Sequence, residues 1–178
     1  MRDVSFVLKT EVKIYGGLAD GATALVGRDF TANASVLNGD LGTNGKVHHV
    51  VVSEGSSNNV VLDGFTIQNG QRDLTTVLAG VARNQGAAIN ITNEQTNAVF
   101  RNLVVKNNTT SSTGNGGGAV FLSLQAASEC IFEKVIFDTN ECVSASGGGL
   151  SFSALGSSKV IIKDSKIFSC RATGCAGI

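Results

Sequence analysis

The chain has 178 residues, with 14 Lys plus Arg against 14 Asp plus Glu and a formal net charge of zero. That balance, without any Lys/Arg cluster, carries no footprint for nucleic acid, and no run approaches the ~18 apolar residues of a membrane-spanning helix. Its 22 glycines, absent proline and tryptophan, abundant Asn, Ser, Thr and Val, and lack of a Leu/Ala/Glu/Lys helical pattern predict short strands joined by tight turns.

The opening MRDVSFVLKTEV has no apolar h-region, so no signal peptide is visible there. Short β-rich stretches follow: SFVLKTEVKIYGGLADG, LNGDLGTNG (37–45), HHVVV and VVLDGFTIQNG (60–70). In 37–45, Asn38, Asp40 and Asn44 offer oxygens, but one carboxylate is too few for a calcium site. The expectation is a turn held by Asn and Gly, with no metal. His48 and His49 open a strand and read as structural. Next, QRDLTTVLAGVARNQ (71–85) is a long excursion. Its Arg72 and Asp73 are the candidate partner-contact residues, because long loops on one side of a repeat structure are where recognition resides.

From residue 86 a repeat is plain. GAAINIT begins at Gly86, GGAVFLS at Gly117 and GGGLSFS at Gly147, while CAGI at Cys175 begins another copy. The equivalent positions Ile89, Val120, Leu150 and Ile178 are spaced by 31, 30 and 28 residues. Between them, AVFRNLVVKNN (98–108), CIFEKVIFDTN (130–140) and VIIKDSKIFSC (160–170) align without gaps, and 60–70 is an earlier relative. The columns are Leu62-Phe100-Phe132-Ile162, Ile67-Val105-Phe137-Ile167 and Asn108-Asn140-Cys170. Columns of like residues at a near-constant period predict stacked coils paired in parallel, about 4.8 Å apart. The triplets Gly116–Gly118 and Gly147–Gly149 then mark corners with positive φ or no room for Cβ. A Gly-rich sandwich also has short alternating strands, but it would not repeat both motifs in order. The polar stretch NNTTSSTGNG (107–116) reads as a second loop.

Catalytic candidates do not converge. Hydrolysis of a glycosidic bond needs two carboxylates about 5 to 9.5 Å apart on one face. The column Asp63-Arg101-Glu133-Lys163 instead alternates in sign and predicts an exposed ion-pair ladder, worth a few tenths of a kcal/mol per pair. No cofactor motif is present. The cysteines Cys130, Cys142, Cys170 and Cys175 contain no C-x-x-C pair, so zinc is not expected, and their spacing leaves disulfides and buried thiols both open.

GGAV at 117–120 and FDTN at 137–140 resemble the paired signatures of polymorphic outer membrane protein repeats. The ordered stretches of the front half resemble bacterial right-handed β-helix surface proteins of the pectin-lyase-like superfamily. Departures include Val105 and Ile167 in place of Phe, and Cys170 in place of Asn. These resemblances imply an all-β, right-handed parallel β-helix of about four to five coils. Residues 1–178 would form a single domain, with degenerate coils over 1–70 and regular repeats over about 86–178, and would be a piece of a longer solenoid. They further imply secretion or cell-surface display, without membrane insertion by this segment. The expected function is a non-catalytic scaffold or adhesin-like module whose loops meet an extracellular glycan or a host or cell-surface protein. The alternative is a polysaccharide lyase or hydrolase with catalytic coils partly elsewhere.

Overall fold

A computed structural model describes residues 2–53, 55, 57–73, 85–111, 117–174 and 177. Gly116, Cys175 and Ile178, and the loop segments 74–84 and 112–116, lie outside the described residues. The described chain is all-β apart from one 3-10 turn, Gly42–Asn44.

Its strands form four sheets. The first contains β1 (Phe6–Leu8), β4 (Val51–Ser53), β8 (Ile89–Glu94), β12 (Val120–Leu124) and β16 (Leu150–Ala154). The second contains β2 (Lys13–Tyr15), β5 (Ser57–Asp63), β9 (Thr96–Arg101), β13 (Glu129–Glu133) and β17 (Lys159–Lys163). β3 (Ser35–Asn38), β6 (Phe65–Gln68), β10 (Val104–Lys106), β14 (Ile136–Asp138) and β18 (Lys166–Phe168) make the third. The fourth has β7 (Gln71–Arg72), β11 (Thr109–Thr110), β15 (Glu141–Cys142) and β19 (Arg171–Ala172). Within each sheet the strands stack in chain order and pair in parallel, the pattern of a β-solenoid.

The register reproduces the sequence columns. Leu62 pairs with Phe100, Phe100 with Phe132 and Phe132 with Ile162. Ile67, Val105, Phe137 and Ile167 pair in the same succession. Leu62, Phe100, Phe132, Ile67, Val105 and Phe137 have no exposed surface. The Phe100 and Phe132 rings stack with centroids 5.0 Å apart, and Phe137 closes on Phe132 at 6.0 Å. Burying each such side chain contributes about 1.5–3 kcal/mol. Parallel pairing is favoured because every inward residue meets a like residue above and below, so one register satisfies the whole column.

Corners repeat as strictly as strands. Gly64, Asn102, Lys134 and Asp164 follow the strands of the second sheet and have φ of 86°, 50°, 54° and 51°. Asn69, Asn107, Thr139 and Ser169, after the strands of the third sheet, are left-handed as well, at 61°, 55°, 54° and 52°. Behind this second corner, Asn108 and Asn140 are buried and bond across coils. The Asn108 carboxamide accepts from Gly70 N at 2.9 Å and donates to Ile67 O at 3.2 Å. Asn140 repeats this one coil on, accepting from Asn108 N at 3.1 Å and donating to Val105 O at 2.8 Å. At Gly117, which has φ of 80°, an added Cβ would lie 2.8 Å from Val120 O, so the corner demands glycine twice over.

Candidate functional site

Two polar nodes stand out, and both lie toward the front of the chain. In the first, Asp63 ends β5 with no exposed surface. Its Oδ2 accepts from Arg28 Nη2 at 2.7 Å and Arg101 Nε at 2.8 Å, and its Oδ1 accepts from Asn102 Nδ2 at 2.7 Å. Arg28 belongs to the excursion of residues 16–34 between β2 and β3. Its guanidinium carbon lies 5.2 Å from the Tyr15 ring centroid and 5.1 Å from that of Phe30. Phe30 in turn sits over Gly64, where a Cβ would meet its ring at 2.6 Å. Burial acts to raise the Asp63 pKa, but the hydrogen bonds from Arg28, Asn102 and Arg101 outweigh it and hold the carboxyl below its usual 3.8.

The expected ladder is therefore present in register and different in kind. Asp63 pairs with Arg101, Arg101 with Glu133 and Glu133 with Lys163. Lys163 Nζ reaches Glu133 Oε1 at 3.1 Å on the surface, as the alternating signs predict. At Asp63, however, the expectation of exposure fails. The excursion carrying Arg28 and Phe30 folds over it and turns an exposed ladder rung into a buried ionic node. With its oxygens engaged by three donors, this carboxylate is arranged to join segments of chain.

The second node gathers residues remote in sequence. Arg2 donates through Nη1 to Asp73 Oδ2 at 2.7 Å and Oδ1 at 3.0 Å, through Nη2 to Gln71 O at 3.0 Å, and through Nε to Lys46 O. His48, only 4% exposed, lies between two carboxylates: Nδ1 is 3.5 Å from Asp73 Oδ1 and Nε2 is 3.8 Å from Asp3 Oδ1. No donor–acceptor geometry satisfies His48 Nδ1. His48 N donates to Arg2 O at 3.1 Å, and Ser5 Oγ donates to His49 O at 2.7 Å. His49 Nδ1 meets Gly86 O at 2.9 Å. Burial and the Arg2 cation push the His48 imidazolium below the usual 6.5. Asp73 pulls the other way, Arg72 adds to the depression, and Asp3 opposes it.

Arg72 and Asp73, the partner-contact residues expected from sequence, thus have different surroundings. Arg72 is in β7, not in a loop; it pairs in register with Thr110 and its side chain is fully buried. Asp73 follows with 30% of its side chain exposed and is paired to Arg2. The rest of that excursion, 74–84, lies outside the described residues, as does 112–116 of the second loop. In the 37–45 turn, Asn38 Oδ1 accepts from Asp40 N at 3.1 Å and Asp40 Oδ1 from Gly42 N at 2.8 Å, so these oxygens serve the turn itself. Among the described residues, Cys142 and Cys170 are free thiols and Cys130 is buried, and burial raises the Cys142 pKa against backbone hydrogen bonds from Ala145 and Ser144.

A groove of ≈ 510 Å³ runs over the outer face of the second sheet. Val61, Val99 and Ile131 form its floor, with Glu11, Lys13 and Glu129 among the polar residues lining it. No protein-family model, curated protein or solved structure matches the chain, so the likeness to pectin-lyase-like surface proteins and to outer membrane protein repeats rests on the quoted residues.

Proposed function

We propose that this chain is a non-catalytic module of a secreted or surface-displayed protein. In this reading it is a right-handed parallel β-helix of four to five coils that holds its loops rigidly toward an extracellular glycan or a cell-surface protein. One observation carries the reading: the buried carboxylate of Asp63 ties its own strand to Arg28 of the 16–34 excursion and to the adjacent Arg101 and Asn102 one coil on. A hydrolytic pair would need a carboxylate free to meet substrate; this one is buried and already accepts from three donors.

The test is a turnover screen on purified protein with polyuronates and neutral polysaccharides, with and without calcium. Unsaturated products and reducing ends are followed alongside retention of the intact glycan. A scaffold retains glycan, or a cell-surface protein supplied in parallel, without releasing products. Release above a heat-denatured control overturns this reading in favour of a polysaccharide-degrading enzyme, with the groove on the second sheet as its place of action.

A further inference from the structure

We propose that His48 is an acid-sensitive latch whose protonation loosens the N-terminal arm, residues 2–6, while the core, from Leu8 to the repeated coils, stays closed.

The start of the arm is held by few contacts. Leu8 at the end of β1 is buried in the core and Phe6 packs against it, but among the described residues β1 is three residues long and pairs with β4 alone, and Val4 ahead of it is 46% exposed. What secures the arm is Arg2, with its donors to Lys46 O, Gln71 O and Asp73, together with His48 N to Arg2 O, Ser5 Oγ to His49 O and Phe6 N to Val50 O. All of these converge on the His48–His49 dipeptide or on the two chain segments beside it.

Among the described residues, the charged groups acting on His48 are Arg2 and Asp3 from the arm, and Arg72 and Asp73 from the end of β7. A proton on His48 creates a third cation beside Arg2 and Arg72. The nearer carboxylate, Asp73, already takes a bidentate fork from Arg2. The imidazolium is also almost wholly removed from water, which penalises its charge. Hydration relieves both problems, and the arm is the least costly element to move. Its departure removes Arg2 together with the more distant Asp3, frees Asp73, the nearer carboxylate, to pair with the imidazolium, and admits water. The Phe and Ile columns have no part in the node and have no reason to open with it.

The chain contains two histidines, His48 and His49, and histidine is the side chain whose ordinary titration falls between about pH 5 and pH 8. Events in that window are therefore assignable. The experiment is amide hydrogen exchange between about pH 7.5 and about pH 5, corrected for intrinsic rates, on the whole chain and on His48→Gln. The expected result is a progressive loss of protection across residues 2–6, including Phe6, in the native chain, with β9 and β13 unchanged and the pH dependence absent in His48→Gln. Equal pH response in both proteins, or simultaneous loss in β9 and β13, overturns the latch. Should His48→Gln fail to fold, proton NMR of the two native imidazoles carries the test. His48 is expected to titrate below 6.5 with arm resonances shifting in step. Titration at or above 6.5, or an arm that does not follow it, overturns the proposal.

Discussion

The front of the chain, through β5, supplies strands to the first three sheets, which the regular coils from residue 86 onward continue, but the two regions are held together differently. In the regular coils each inward residue has a near-identical neighbour one coil away, as in Phe100 over Phe132 or Asn108 over Asn140. Stability there is distributed over columns, and each corner repeats the last. At the front, long excursions interrupt the coils. Closure depends on individual ties between distant segments: the ion pairs Arg28–Asp63 and Arg2–Asp73, and the hydrogen bond from the His48 amide to the Arg2 carbonyl. Repetition gives redundancy. Single ties give locations where the chain can let go.

The sharpest way to break the comparison is to empty one position of a column. Phe132→Ala removes a ring stacked on Phe100 and packed on Phe137, and should cost about 3–5 kcal/mol in chemical denaturation. Its loss of exchange protection should spread to β9 and β17 and leave residues 16–34 unaffected.

Asp63→Ala should follow at about 3 kcal/mol, because it strands two arginines at a site built around their counter-charge. Here lost protection should concentrate in residues 13–35. Glu133→Gln, two coils further along the same column, serves as the comparison: its surface pair with Lys163 is screened and worth a few tenths of a kcal/mol. The two also differ in acid. Because the Asp63 pKa is held below 3.8, its stabilising contribution is fully present above that value and is lost as pH falls through the depressed one. A stability–pH profile should show this acid limb in the native chain and lack it in Asp63→Asn.

The smallest effect sharpens the comparison from the favourable side. Lys134 is exposed and left-handed where the earlier coil has Asn102 and the one before it Gly64. Lys134→Gly relieves a strain of about 1–2 kcal/mol but increases the freedom of the unfolded chain. A net gain of about 1 kcal/mol, or about 2–4 °C in Tm, is expected by calorimetry. No gain would mean that the corner tolerates lysine without strain.

The sequence made the repeating part legible down to register, because a core column must show the same chemistry at each period. Phe132 finds Phe100 and Ile162 by counting alone. Asp63 shows the limit of counting. Its column was correct, but its burial depends on Arg28 and Phe30, which lie in a stretch with no counterpart in any later coil. The Arg2–His48–Asp73 node was invisible for the same reason: its three members sit at unrelated spacings and meet only because the coils bring residues 2, 48 and 73 to one edge. Arg72 looks like a loop residue in sequence because two-residue strands such as β7 are too short to show alternation.

The stacking of short parallel strands also sets how the molecule would yield to a pull. Traction along the stacking direction loads the bonds between one coil and the next as a peeling front, and each front crosses only a few short strands. A coil of the regular region would come away as a unit and lengthen the tether by about 100 Å for roughly thirty residues. A force trace through this region should then be a staircase of near-equal steps, the mechanical image of the period in its sequence.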